Sequence, residues 1–138
     1  MTTTLVREAM LIEPRSLGVE ATAQDAGELL ANPDVRAVFV CEDHELVGVV
    51  TRKTLVREVV APGRDPGGTR LGDIAEAPYY TVDAASPAEE AFRFMEAKDA
   101  ERVPVVEDGK LVGVLSRSAV QRRLAEDDET GGEPPVLS

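Results

Sequence analysis

Hydrophobic positions fall along this chain in short runs that switch between a two-residue period and a period of three to four. Arg102-Val103-Pro104-Val105-Val106 and Lys110-Leu111-Val112-Gly113-Val114-Leu115 are two β-prone runs separated by Asp108-Gly109. That dipeptide suits a two-residue hairpin turn, whose central residues both need positive φ, so the pattern predicts two tightly joined strands. Upstream, Tyr79-Tyr80-Thr81-Val82 is another short β-prone run. Ser86-Pro87-Ala88-Glu89 then offers an N-cap serine, a proline at the first helical position and a glutamate three residues after the cap. Ala88, Ala91, Phe92 and Met95 lay one apolar stripe along a helix predicted to end near Ala97-Lys98. Ser116 caps a last helix through Leu124, and the order of elements is β-α-β-β-α.

The same order is written in the first half: a strand over Leu17 to Val19, a helix from about Thr22 to Ala31, strands over Val35 to Cys41 and Glu45 to Val50, and a helix from Thr51. His44-Glu45-Leu46-Val47-Gly48-Val49-Val50-Thr51-Arg52 reappears as Gly109-Lys110-Leu111-Val112-Gly113-Val114-Leu115-Ser116-Arg117, at an offset of 65 residues. Without a gap, that offset also sets Ala26 on Ala91, Asp34 on Asp99, Val38 on Val103, Val40 on Val105 and Glu8 on Asp73. The chain therefore reads as repeat 1 over residues 1–60, a Pro/Gly-rich joint over 61–70, repeat 2 over 71–125 and an acidic, disordered tail over 126–138. A hairpin with one helix before it and one after cannot bury both faces alone. The expected class is α+β, with the two repeats packed as one module.

Composition narrows the function. At 138 residues with 43% hydrophobic content, the chain has the make-up of a globular domain whose core is built from Val, Leu, Ile and Ala, since aromatics are 4% and Trp is absent. No apolar run has the length of a membrane span, and the first residues lack the basic and apolar regions of a signal peptide. A single cysteine, Cys41, excludes an internal disulfide and a multi-cysteine zinc site, and a reducing cytoplasmic location is expected. The formal net charge of −11 disfavours nucleic acid as a partner, because the phosphate backbone is repelled. No membrane partner is expected either.

Nothing in the sequence assembles a catalytic site. His44 is the only histidine and lies in a predicted turn beside Asp43 and Glu45, with no nucleophile pointing to it. Cys41 ends an apolar strand and reads as a small core residue. Glu42-Asp43 and Glu107-Asp108 flank turns, where acidic residues are common, and no metal ligand set is assigned. The remaining chemistry sits at Gly48-Val49-Val50-Thr51-Arg52 and its twin Gly113-Val114-Leu115-Ser116-Arg117. Each places a strand end against a helix start. The glycine would admit a ligand to the backbone, the hydroxyl lies beside free N–H groups at the positive end of the helix dipole, and an arginine follows.

Leu111-Val112-Gly113-Val114-Leu115-Ser116, preceded by Val103-Pro104-Val105-Val106 and by Thr81-Val82 with Pro87-Ala88-Glu89-Glu90-Ala91, resembles a CBS domain, named for cystathionine β-synthase. Repeat 1 is similar to a second, more diverged copy, and the resemblance spans residues 6 to about 125. It implies a tandem CBS pair with pseudo-twofold symmetry, forming a homodimer and binding AMP, ADP, ATP or S-adenosylmethionine between the copies, with no required cofactor. By that resemblance one cleft joins Thr51, Arg52 and Thr54 with Ala77, Pro78, Ala100, Glu101 and Arg102. The other joins Ser116, Arg117 and Ala119 with Ile12, Glu13, Val35 and Arg36. Nucleotide-binding members carry an aspartate three residues after the Thr or Ser, where its carboxylate accepts from the ribose hydroxyls. Here those places hold Thr54 and Ala119. The reading is a stand-alone regulatory module, not an enzyme, that senses a small ligand and modulates a separate protein, as yet unknown. The alternative is a structural dimerisation module that has lost its ligand.

Overall fold

A computed structural model of the chain describes residues 3–12, 15–78 and 80–131. In chain order the elements are α1 (Val6–Ala9), β1 (Ser16–Gly18), α2 (Ala23–Leu30), β2 (Val38–Glu42), β3 (Glu45–Val50) and α3 (Arg52–Leu55), which runs on into a π-helical turn (Val56–Val60). After a 3-10 turn (Pro66–Gly68) come α4 (Leu71–Ile74), β4 (Val82–Asp83), α5 (Ala88–Ala97), β5 (Arg102–Glu107), β6 (Lys110–Ser116) and α6 (Arg117–Gly131). The class is α+β, and the expected β-α-β-β-α order stands in each copy, with a short helix, α1 or α4, ahead of it.

The elements form two compact units. One is Pro14–Tyr79 with Gly109–Leu111; the other is Met1–Glu13, Tyr80–Asp108 and Val112–Ser138. In the first, β1 lies parallel to β2 and β2 antiparallel to β3, whose first residue, Glu45, pairs with Lys110. Helix α2 starts where Thr22 and Asp25 cap each other: the Thr22 hydroxyl accepts from the Asp25 N–H at 3.2 Å, and the Asp25 carboxylate accepts from the Thr22 N–H at 3.0 Å. Its stripe of Ala23, Ala26 and Leu30 is buried against Val38, Val40 and Val50. The second unit repeats this arrangement at the same offset. Ala88, Ala91 and Met95 of α5 are buried with Val103, Val105 and Leu115, β4 is parallel to β5, and β5 neighbours β6. Tyr80 meets Phe94 edge to face, with ring centres 5.3 Å apart.

Each unit is completed by the segment that precedes the other copy. In the first unit, Ala23 donates to the Thr69 carbonyl, Leu71 to Ala21 and Gly72 to Val19, at 2.8, 2.8 and 2.9 Å. In the second, Ala88 donates to Thr4, Val6 to Ser86 and Arg7 to Ala84, at 2.8, 2.8 and 3.0 Å. These are the same bonds displaced by one repeat. Leu71 and Val6, equivalent by the offset, are both completely buried, each in its unit's core. The leading segments are thus exchanged between copies, and the last two residues of the expected joint, Thr69 and Arg70, are built into the first unit, where Arg70 bridges Thr22.

Several boundaries differ from the sequence reading. Strand β2 starts at Val38 and not at Val35, and β1 covers Ser16–Gly18. Helix α5 begins at Ala88 with Pro87 in the cap position and no cap bond from Ser86; Asp83 makes the local turn instead, its carboxylate accepting from the Ala85 N–H at 2.8 Å. Strand β4 is limited to Val82–Asp83, and Tyr79 lies outside the described residues. Helix α6 continues to Gly131, past Leu124 and through most of the acidic run, because Ala and Glu sustain a helix that has already been nucleated. Residues 132–138 of the expected tail lie outside the described residues. Among the described residues no helix is long and apolar enough to cross a membrane.

The two hairpin turns differ in strain. Asp108 and Gly109 take φ of 55° and 81°, whereas Asp43 and His44 take 52° and 71°. The first turn places glycine where a left-handed backbone is required; the second places an exposed histidine there, which costs an L-residue about 1 kcal/mol. His44→Gly is therefore expected to raise stability by about 0.5–1 kcal/mol in chemical denaturation, less what glycine adds to the entropy of the unfolded chain. Unchanged or lower stability would show that the histidine makes a compensating contact.

Candidate ligand-binding site

The chemistry expected at the strand-to-helix corners separates into two unlike sites. At the first, Thr51 ends β3 and caps α3. The Thr54 N–H donates to the Thr51 hydroxyl at 3.3 Å, and the Thr51 N–H donates to the Thr54 hydroxyl at 3.0 Å. The two hydroxyls are 3.1 Å apart, and the Thr54 hydroxyl donates to Glu76 Oε2 at 3.0 Å. Thr54 has one proton to give and Glu76 takes it, so the proton between the two threonines must come from Thr51. The result is a directed chain, Thr51 to Thr54 to Glu76. Thr54 is fully buried and its hydroxyl is saturated, with one bond given and two received.

Glu76 was not singled out in the sequence. Its backbone pairs with Val49 in both directions, N to O at 2.8 and 3.0 Å, which sets its side chain beside Thr54. Oε1 also accepts from Arg57, in the π-helical turn, and the carboxylate stays 40% exposed. Arg57 bonds Glu58 as well, and its pKa is raised by that hydrogen bond first and by Glu76 next. The sequence signal for Glu76 lay in a break in the repeat: its counterpart at the offset is Leu11, and Thr54 faces Ala119 in the same alignment.

The glycines do something other than expected. A Cβ on Gly48 would lie 2.7 Å from the Ala75 Cβ and 3.0 Å from the Glu76 carbonyl oxygen. One on Gly113 would lie 2.6 Å from the Met10 Sδ and 2.7 Å from the Leu11 carbonyl oxygen. Both glycines admit the exchanged leading segment to the strand, so their smallness is consumed by chain packing and not by a ligand. The arginines are similarly engaged. Arg52 donates to the carbonyls of Leu30 and Asn32 at 2.6 and 2.9 Å, where a cation suits the C-terminal end of α2. Arg117 pairs with Glu101 and, at 3.5 Å, with Asp99.

The second corner lacks the acceptor chain. Ser116 receives the Ala119 N–H at 3.4 Å and lies 3.2 Å from the Ser118 hydroxyl, and Ala119 has nothing to offer beyond its methyl group. Ile12, in the same unit, is 70% exposed. Of the remaining expected residues, Ala77 and Pro78 follow Glu76 in the Pro14–Tyr79 unit, where Val35 is buried and Arg36 exposed; Ala100, Glu101 and Arg102 belong to the other unit. Glu13 lies outside the described residues. His44 is exposed at its turn, and partial burial pushes the Cys41 thiol pKa up, which disfavours the reactive thiolate.

The repeat, the paired cores and the two glycine-bearing corners find their match among known sequences: the CBS domain family matches residues 6–61 and again residues 71–126. The chain belongs to the CBS domain family. Hypoxic response protein 1 of Mycobacterium tuberculosis is 30% identical over 124 residues, covering 89% of this chain and 87% of that protein. A crystal structure of Hypoxic Response Protein I with two coordinated zinc ions is 29% identical, with a TM-score of 0.73 over 87% of this chain and 98% of that one. A crystal structure of CBSX2 in complex with AMP is 27% identical, with a TM-score of 0.70 over 88% of this chain and 96% of that one. The two CBS repeats expected from the sequence are therefore present. The zinc belongs to the relative, since among the described residues of this chain no three His, Cys, Asp or Glu side chains are placed to hold a metal ion.

Proposed function

We propose that the chain is a regulatory CBS-pair module, not an enzyme, that binds an adenosine nucleotide or a related small molecule at the Thr51 corner and thereby modulates a separate protein. The observation that carries this reading is the half-exposed Glu76 carboxylate, fixed by Thr54 and Arg57. It restores an anionic acceptor to the copy whose family aspartate is replaced by threonine. The AMP complex of CBSX2 supports the ligand class. The Ser116 corner supports a different role for its copy: with Ala119 and Leu11 in place of Thr54 and Glu76, it serves structure. One ligand per chain follows.

Calorimetric titration of the full chain with AMP, ATP and S-adenosylmethionine tests this. A saturable isotherm is expected for at least one of them, near one equivalent per chain. A matching rise in melting temperature is expected too, since ligand at about 100 times its Kd stabilises the folded state by about 2.7 kcal/mol. No saturable heat and no thermal shift at millimolar ligand would overturn the reading in favour of a ligand-free dimerisation module. Sedimentation velocity in the same samples reports whether the homodimer forms and whether ligand alters it.

A further inference from the structure

The two hairpin turns differ in their chemistry as well as in their strain. Asp43-His44 and Asp108-Gly109 take similar left-handed angles, with φ of 52° and 71° in the first and 55° and 81° in the second. Both aspartates are exposed, and among the described residues neither carboxylate has a hydrogen bond or an ion pair. Other aspartates are held: Asp25 accepts from the Thr22 N–H at 3.0 Å and Asp83 from the Ala85 N–H at 2.8 Å. Glu107, beside Asp108, is held by Arg7 at 3.1 Å. The Gly109 N–H meets no acceptor among the described residues, and a Cβ on Gly109 would find nothing within 4 Å. An unpartnered carboxylate therefore stands beside an open, unbonded backbone nitrogen. At the equivalent place His44 carries a Cβ and a ring. In the sequence Asp108 is the only aspartate followed by glycine, and the single asparagine, Asn32, precedes a proline, which has no N–H.

We propose that Asp108-Gly109 is a site of spontaneous modification at which Asp108 isomerises to isoaspartate, independently of any ligand. The Gly109 nitrogen attacks Cγ of the protonated Asp108 carboxyl group. The N–Cγ bond forms, and the carboxyl OH leaves with the amide proton as water, giving a cyclic imide. Water then adds to the former backbone carbonyl carbon of Asp108, whose bond to nitrogen breaks. The chain now runs through Cβ and Cγ, and the old carbonyl has become a free carboxylate. No atom is gained or lost overall, and no oxidant or reductant takes part. The turn is lengthened by one methylene at a place that pairs with the first unit. The Gly109 carbonyl accepts from the Leu46 N–H at 3.2 Å, the Leu111 N–H donates to the His44 carbonyl at 3.1 Å, and Lys110 pairs with Glu45. These bonds hold the start of β6 on the start of β3, and the modification loosens them.

Ageing the folded full chain at neutral pH and mapping its tryptic peptides tests the assignment. An isomer of peptide 103–110, equal in mass but separated by chromatography, should accumulate above its level in the fresh chain, with a minor form lighter by one water. Peptide 37–52, which holds Asp43, should stay single. His44→Gly supplies the sharpest comparison, because it places glycine after Asp43 in a variant expected to gain stability: isomerisation should then appear at Asp43 as well. Gly109→Ala should abolish it at Asp108. Should that variant fail to fold, since alanine is strained at positive φ, Asp108→Glu makes the same comparison by enlarging the ring that must close. Hydrogen exchange at the Leu46 and Leu111 amides should lose protection in step with the isomer. An unchanged peptide 103–110 after prolonged ageing, equal isomerisation at Asp43 in the unaltered chain, or no gain at Asp43 in His44→Gly overturns the proposal. Full protection of both amides in the isomerised protein overturns the loosening of β6 from β3.

Discussion

Gly113→Ala is expected to destabilise the protein by about 3 kcal/mol and to lower its melting temperature by about 10 °C. The new methyl would sit 2.7 Å from the Leu11 carbonyl oxygen and 2.6 Å from the Met10 Sδ. Methionine can swing aside, but the carbonyl cannot. Leu11 and Val114 exchange two hydrogen bonds, at 2.9 and 3.0 Å, and relieving the overlap means lengthening both. The same change at Gly27 should have the opposite sign. That glycine lies inside α2, where an added Cβ meets nothing closer than Leu55 Cδ1 at 3.9 Å, so Gly27→Ala should stabilise by about 0.5–1 kcal/mol. Thermal and chemical denaturation of the two variants side by side decides the matter. A Gly113→Ala protein as stable as the unaltered chain would mean that Leu11 does not lie on β6.

That glycine marks the boundary of what the sequence discloses. The Asp108-Gly109 turn, the α2 helix from about Thr22 and the α5 stripe of Ala88, Ala91 and Met95 are local: each is specified within a few residues, and each reads correctly in isolation. The exchange of leading segments is not local. Val6 and Leu71 are equivalent in the repeat, both apolar and both buried, so the periodicity is satisfied equally well whether each helix packs on its own copy or on the other. With the neighbour of β3 and β6 unassigned, a glycine on either strand reads as space for a ligand, although it is space for Ala75 or Met10. The partners of Arg52 and Arg117 are not local either. The sequence does not show that Arg52 reaches the Leu30 and Asn32 carbonyls, or that Arg117 reaches the Glu101 carboxylate. Glu76 carries no signal where the copies agree; it stands where they differ, opposite Leu11.

The exchange itself has a measurable consequence of comparable size. Leu71→Ala should cost about 3 kcal/mol, since a completely buried leucine loses its transfer energy and leaves a cavity that the surrounding core only partly closes. The location of the damage tests the architecture more sharply than its amount. Leu71 packs in one core with Leu30, Val38, Val40 and Val50, although it precedes the second repeat in sequence. Hydrogen exchange should therefore lose protection first in α2, β2 and β3, with β5 and the α5 helix less affected. Val6→Ala, a smaller truncation costing about 1–2 kcal/mol, should reverse the pattern, because Val6 packs with Met95, Val103 and Leu115. Ligand affinity should follow the same division: Leu71→Ala loosens the α4 segment that carries Glu76 into place and so weakens nucleotide binding, while Val6→Ala leaves the Thr51 corner intact. Protection lost from β5 and α5 on truncating Leu71 would show each leading helix packed on its own repeat, and would take from Glu76 the strand pairing with Val49 that positions it.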